Sequence, residues 1–343
     1  MKVKNISKVE GRLPLRDPFI MGAYHYELYP EGNGKLGPKA SLAGRNIGND
    51  FDRSNPWRMY HGQQIPGFPH HPHRGFEIIT IVSEGYADHF DSKGSKGRYG
   101  DGDVQLMSAG EGVLHAEMFP LIHEDKPNPL RLFQIWVNMA GKDKLTEPDY
   151  KMLWKEIIPE AVLDQEGKKV SIKVIHGEYY GVKSLGALKH SWARDPEHHV
   201  GAALIEMEPG TAINLDAVSK TMNRFVLYYD GQDPVEMADY KVQPNHMADL
   251  GGDEEIWIKN TGSGIAKLLI LEGEPIGEPV AAYGPFVMNT EKELQEAFNQ
   301  YRRTEFGGWP WGGEEQDLVH AKDTGRFASY DFDKVIDKPE EVN

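Results

Sequence analysis

Short apolar runs broken by turn residues fill most of the chain. Phe76–Glu84 is a nine-residue run, rich in β-branched side chains, that stops at Glu84-Gly85. Tyr86–Asp91 follows, then the turn Lys93-Gly94-Ser95-Lys96-Gly97. Asp101-Gly102-Asp103 turns into Val104–Met107, and Gly110-Glu111-Gly112 turns into Val113–Phe119. Leu130–Met139 is a further strand. Turn signals recurring every 8–12 residues or so predict an all-β sandwich or barrel. The rhythm returns at Val170–Ile175, Val200–Met207, Arg224–Tyr229, Ile256–Lys259 and Ala266–Glu272, which implies a duplicated architecture. One segment has helical spacing. Thr290 and Glu293 form a capping box ahead of Leu294, Phe298 and Tyr301, and Gly307-Gly308 stops the helix. Trp309-Pro310-Trp311 should then pack against a barrel wall.

The remaining stretches are irregular. Residues 1–30 read as an opening strand or two, Asp17–Met21 and Ala23–Leu28, both rich in β-formers. Residues 31–70 are poor in periodicity and end in Ile65-Pro66-Gly67-Phe68-Pro69, directly before a histidine pair. They read equally as a lid and as a surface insertion. A polar stretch with the linker Thr146-Glu147-Pro148-Asp149 separates the halves. The acidic tail from about 331 reads as frayed or wrapped on the surface. The expected organisation is a metal-binding N-terminal barrel at 1–145, a C-terminal barrel without metal at 146–289, and a helix with an extension at 290–343.

Composition narrows the function. The chain has 343 residues, a 39% hydrophobic content and a formal charge of -15, which suits a folded protein of two domains. Such a charge argues against direct nucleic-acid binding and against anionic membranes. With no cysteine, disulfides, thiolate catalysis, zinc fingers and iron–sulfur clusters are excluded. The N-terminus shows no apolar signal region and no run has the length of a membrane span, so a cytoplasmic location is the default expectation.

The chemistry concentrates in His71-Pro72-His73 and His115-Ala116-Glu117. Alternate residues of a strand share a face, about 6.6 Å apart. Two neighbouring strands carrying such pairs converge three imidazoles and a carboxylate on one point. That donor set suits a divalent transition metal, and open coordination positions suit non-haem iron(II). Manganese, nickel, cobalt, copper and zinc are the alternatives. His70 could replace His71, but strand parity with His73 favours His71. The other ten of the 14 histidines, His25 and His89 among them, have no defensible partner at ligand spacing. Glu77, four residues after His73, competes with Glu117 for the carboxylate position, and strand physics leaves the choice open. In the second half Asn214-Leu215-Asp216 and Gly251-Gly252-Asp253 stand where a second histidine set would be, so no metal is expected there.

Three segments carry a resemblance. His71-Pro72-His73-Arg74-Gly75-Phe76-Glu77, the run from Gly102 to Met118, and Gly284-Pro285-Phe286-Val287-Met288-Asn289-Thr290 are similar to the signature segments of the pirin family. Pirins are bicupins, so the resemblance implies an all-β fold of two cupin barrels (double-stranded β-helix, or jelly-roll) packed face to face, with a C-terminal helix and tail. It also implies iron on His71, His73, His115 and Glu117, with Glu77 behind the ligands. Glu117 would double as the base. Region 31–70, Trp309–Gly313 and the acidic tail depart from the family pattern.

Some pirins resemble quercetinases. The implied activity is quercetin 2,3-dioxygenase-type opening of a flavonol, or a related enolisable aromatic, with O₂. The alternative is an iron-binding, redox-sensing regulator that acts on protein partners.

Overall fold

The computed structural model describes residues 1–312 and 317–339. The chain divides into two compact units, each assembled from separate stretches. Met1–Ala23, Val137–Met139 and Ile157–Gly277 make the first; Tyr24–Trp136, Ala140–Glu156 and the chain from Glu278 onward make the second.

The first unit holds a seven-stranded antiparallel sheet. Its order is Val3–Lys8, His246–Gly251, Asn223–Asp230, Ala266–Gly273, Gly201–Met207, Lys168–His176 and Glu160–Gln165. A second sheet contains Ala212–Leu215, Ile256–Lys259, Val235–Met237 and Tyr240–Val242. Ile205, Val226, Leu268 and Ile270 share one core with Ile213, Val235 and Ile258. Each predicted strand of this half is present: Lys168–His176, Asn223–Asp230 and Ala266–Gly273 run a residue or two beyond their predicted bounds, Ile256–Lys259 keeps its bounds, and Gly201–Met207 starts one residue later than predicted. Val3–Lys8 and Glu160–Gln165 escaped the sequence reading because they are the outer strands, half exposed and largely polar.

The second unit holds the two-stranded pair Ala281–Tyr283 with Phe286–Met288 and two larger sheets. One runs Asp149–Leu153, Asp103–Ser108, Phe76–Glu84, Asn128–Asn138 and Phe19–Tyr29. The other runs Val335–Asp337, Phe327–Tyr330, Lys96–Gly100, Tyr86–Asp91, Val113–Met118 and Gly67–His73. Phe76–Glu84 and Tyr86–Asp91 keep the bounds their patterns predict. Of the opening strand or two expected before residue 30, Asp17–Met21 and Ala23–Leu28 fall on one strand, Phe19–Tyr29. In neither unit do the ladders close into a barrel among the described residues; the architecture is mostly β, with facing sheets over a core.

Residues 31–66 are irregular, but they are part of the packing. Leu36, Trp57, Met59, Tyr60 and Ile65 are buried, and Trp57, Met59 and Tyr60 join the core that contains Tyr29 and Phe119. The helix Glu291–Thr304 opens with the Thr290–Glu293 capping box and ends on Glu305 in the left-handed region. Trp311 packs on Phe90 and donates its Nε1–H to the Asp91 carbonyl at 2.7 Å.

Of the two readings of the tail, wrapped rather than frayed holds through Asp337. Phe327–Tyr330 pairs with Lys96–Gly100 and, through a tight turn, with Val335–Asp337. Buried Arg98 holds it there. Its guanidinium pairs with Asp88 at 2.6 and 2.7 Å and donates to the carbonyls of His320, Ala321, Lys322 and Thr324. The part of the predicted tail beyond residue 339, and Gly313 of the Trp309–Gly313 segment, lie outside the described residues.

Candidate metal centre

The site is built on two adjacent strands of the second unit. His71 stands directly opposite His115, and Phe68 opposite Glu117, with a bulge between Phe68 and His71. Gly67–His73 is the edge strand of its sheet, where Pro69 and Pro72 can lack a backbone N–H at little cost. The alternation of each strand then sets the histidines on one face.

The ligating nitrogens of His71, His73 and His115 lie within 4.8 Å of one another. Nε2 of His71 and Nε2 of His115 are 3.0 Å apart. That separation serves a hydrogen bond. It equally serves two neighbouring positions on one ion, since nitrogens roughly 2.1 Å from a metal and at right angles stand about 3 Å apart. His71 Nδ1 meets the Pro69 carbonyl at 2.9 Å and His73 Nδ1 the Pro285 carbonyl at 3.4 Å. Nδ1–H donation to these carbonyls leaves both Nε2 lone pairs for the centre. Burial keeps the rings neutral. It pushes His71 down to about 4, and His73 and His115 well below the ordinary histidine range, with the neighbouring imidazoles adding to the effect. Neutral, oriented, converging imidazoles fit a divalent metal ion.

Glu117 lies beside this group. Its Oε2 is 3.9 Å from His115 Nε2. Gln134 Nε2 donates to Oε2 at 2.5 Å and Thr80 Oγ1 to Oε1 at 3.3 Å. Burial pushes the Glu117 carboxyl up, and His89, Gln134 and Thr80 oppose that shift.

Glu77 is buried but stands elsewhere. Gly75, at φ +83°, separates the strand ending at His73 from the one beginning at Phe76, so alternation does not carry through. Thr80 faces Glu117, as shown by their hydrogen bond. Glu77, an odd number of residues earlier in the same strand, points to the opposite face. His70 is exposed and stacks on Trp309 at 4.9 Å, on the other parity from His71 and His73.

Several residues of the site were not visible in the sequence reading. Phe76 and Trp136 stack at 4.1 Å and both meet the His73 ring. His89 packs 5.7 Å from His115, stacks on Tyr150 and bonds Asp91 and Gln105. The i, i+2 pair His89–Asp91 carried a signal of the same kind as His71–His73; it lacked only a known partner strand.

Family models match at two places: Pirin over residues 45–137, and the Pirin C-terminal cupin domain over residues 202–307. The chain belongs to the pirin family. Human pirin is 34% identical over 270 residues, covering 77% of this chain and 87% of its own. A pirin-like protein of Solanum lycopersicum is 34% identical over 267 residues, covering 76% and 86%. Among solved structures, quercetin 2,3-dioxygenase from Acinetobacter baumannii superposes with a TM-score of 0.68 at 26% identity, covering 90% of this chain and 98% of its own. All four residues expected to hold the metal in a pirin lie inside the first match. So does residue 45 onward of the stretch expected to depart from pirins; only residues 31–44 of it precede the match.

Proposed function

We propose that this pirin is a metal-dependent dioxygenase of the quercetinase kind, acting with non-haem iron(II) on a flavonol or a related enolisable aromatic. The observation that carries the reading is the convergence of His71, His73 and His115 within 4.8 Å, with the Glu117 carboxylate beside them. The likeness to the Acinetobacter quercetin 2,3-dioxygenase supports it. Bound iron would supply open coordination positions and the electrons that dioxygen chemistry needs. His71, His73 and His115 would hold the ion, with Glu117 as the fourth ligand.

The rest falls to the chain's own groups. Phe68 and Trp136 keep partial exposure beside the histidines and offer flat apolar walls to an aromatic ring. Glu117 also serves as the base that accepts the proton of the substrate's hydroxyl. Gln134 and Thr80 hold the carboxylate in place while it does so.

The test is quercetin consumption in air by iron(II)-loaded protein, followed by loss of the flavonol absorbance, against a His115→Ala control. Turnover that disappears in the control is the expected result. Iron bound without turnover would overturn the reading and favour the redox-sensing one.

A further inference from the structure

A second polar assembly stands in the same unit, one aromatic ring away from the metal centre. His25 Nδ1 is 2.7 Å from the Tyr60 hydroxyl. The Tyr60 hydroxyl donates to Glu27 Oε1, and the Arg58 guanidinium donates to the same oxygen through Nε at 3.0 Å and through Nη2. Glu27 is fully buried; burial pushes its carboxyl up, the Arg58 guanidinium and the Tyr60 hydroxyl oppose that shift, and as the carboxylate partner of a group that stays cationic it accepts from both. The single Tyr60 hydrogen is therefore committed to Glu27. His25 must donate Nδ1–H to the Tyr60 oxygen, which leaves its lone pair on Nε2. Burial, with Arg58 and Arg53 nearby, holds the ring neutral by pushing it down to about 4. Among the described residues no protein group bonds Nε2, and that atom is not among the enclosed polar atoms lacking a partner.

The assembly is held under strain. Tyr60 sits at φ +57°, a conformation that costs a tyrosine energy and persists only where its surroundings impose it. Two backbone hydrogen bonds with Asp50, at 2.8 and 3.0 Å, impose it here. The Asp50 carboxylate is fixed in turn by Arg45 and by the Met59 N–H.

Aromatic rings connect this acceptor to the metal centre. The Phe68 ring lies 6.0 Å from His25 and 6.4 Å from His71, so no more than about 12 Å separates the two imidazoles. Phe51, Tyr60, His61 and Phe119 complete the aromatic surround.

We propose that His25 is a specificity residue: its Nε2 accepts a hydrogen bond from a phenolic hydroxyl at the far end of an aromatic substrate whose reacting end sits at the metal. This rests on the dioxygenase reading for where the reacting end lies. It narrows the substrate class to polyhydroxylated aromatics of two or three rings. A buried acceptor left unpaired by an analogue without the hydroxyl discriminates more strongly than apolar fit alone.

The probes are quercetin and 3-hydroxyflavone, which keeps the hydroxyl of the reacting ring and lacks those of the two outer rings. Both are titrated under argon into the metal-loaded full chain by quenching of tryptophan fluorescence. Quercetin should bind at least about tenfold more tightly. His25→Phe should erase that preference while leaving 3-hydroxyflavone within about threefold, and His25→Asn, which keeps an acceptor, should retain part of it. A folded His25→Phe protein with an undiminished preference overturns the proposal. The tautomer gives a second readout that needs no variant: long-range ¹H–¹⁵N spectra of histidine-labelled protein should show His25 protonated on Nδ1, and a proton on Nε2 overturns the proposal. Equal binding of the two flavonols with intact turnover removes only the role of His25. Failure of both to bind removes the aromatic-substrate reading as well.

Discussion

His71 and His115 are direct cross-strand partners, and their Nε2 atoms stand 3.0 Å apart. A one-residue slip of the Gly67–His73 strand would turn His71 and His73 to the other face together. The bulge between Phe68 and His71 and the Gly75 turn bracket the pair and hold its register.

Removing either buried ligand should release the metal without unfolding the protein. His73→Ala and His115→Ala are each expected to weaken metal binding by more than about 100-fold, beyond the usual effect of losing an outer partner. Metal per chain, measured with far-UV circular dichroism as the check on folding, reports this. Full occupancy in either variant would refute the ligand assignment.

The two carboxylates should separate cleanly. Glu77→Gln is expected to keep metal affinity within a few-fold, because its side chain leaves the opposite face of the strand from Thr80. Gln134→Leu should cost about 10- to 100-fold, because it removes the 2.5 Å hydrogen bond that orients Glu117. The reverse order of effects would make Glu77 the ligand.

Gly75→Ala should be among the most damaging small substitutions. A Cβ there would lie 2.0 Å from the Val287 carbonyl oxygen, at φ +83°. A loss of about 2 kcal/mol or more is expected from the backbone conformation and the clash together. Urea denaturation measures it; a variant as stable as the parent would show that the turn relaxes freely.

Acid should destabilise the metal-free protein in a window set partly by His320. Its ring stacks on Phe90 at 4.3 Å, and burial holds it down to about 4, against about 6.5 when unfolded. The unfolded chain therefore takes the proton first. The stability that His320 contributes is complete above about pH 6.5 and is lost as pH falls through 4. His320→Gln should lose less stability than the parent between pH 7 and pH 4.5, by up to about 3 kcal/mol. Equal losses in the two proteins would show that the ring is already solvated when folded.

Much of this was legible in the chain because the relevant signals are local. Phe76–Glu84 announces itself by composition and stops at a glycine. Thr290 and Glu293 form the capping box their spacing predicts. His71 and His73, and His115 and Glu117, share faces by simple alternation. What stayed hidden depends on pairing between distant strands. Gln134 is an ordinary polar residue until the strand carrying it places it against Glu117. His25 has Glu27 two residues on, but its bonding partner Tyr60 comes from an irregular stretch with no periodicity. Glu77 shows why alternation alone left the carboxylate open. Counting four residues from His73 ignores a left-handed glycine that resets the count.

The hairpin at Phe327–Asp337 covers the open side of Lys96–Gly100. Without it, that strand would present a row of free N–H and C=O groups, the kind of border along which one molecule zips onto another. Cutting the chain before Phe327 would therefore do more than trim a surface ornament. It would leave a sticky margin, and the shortened protein would leave solution as clumps even with its histidines intact. Anyone shortening this chain for crystals or for a fusion partner should keep that hairpin.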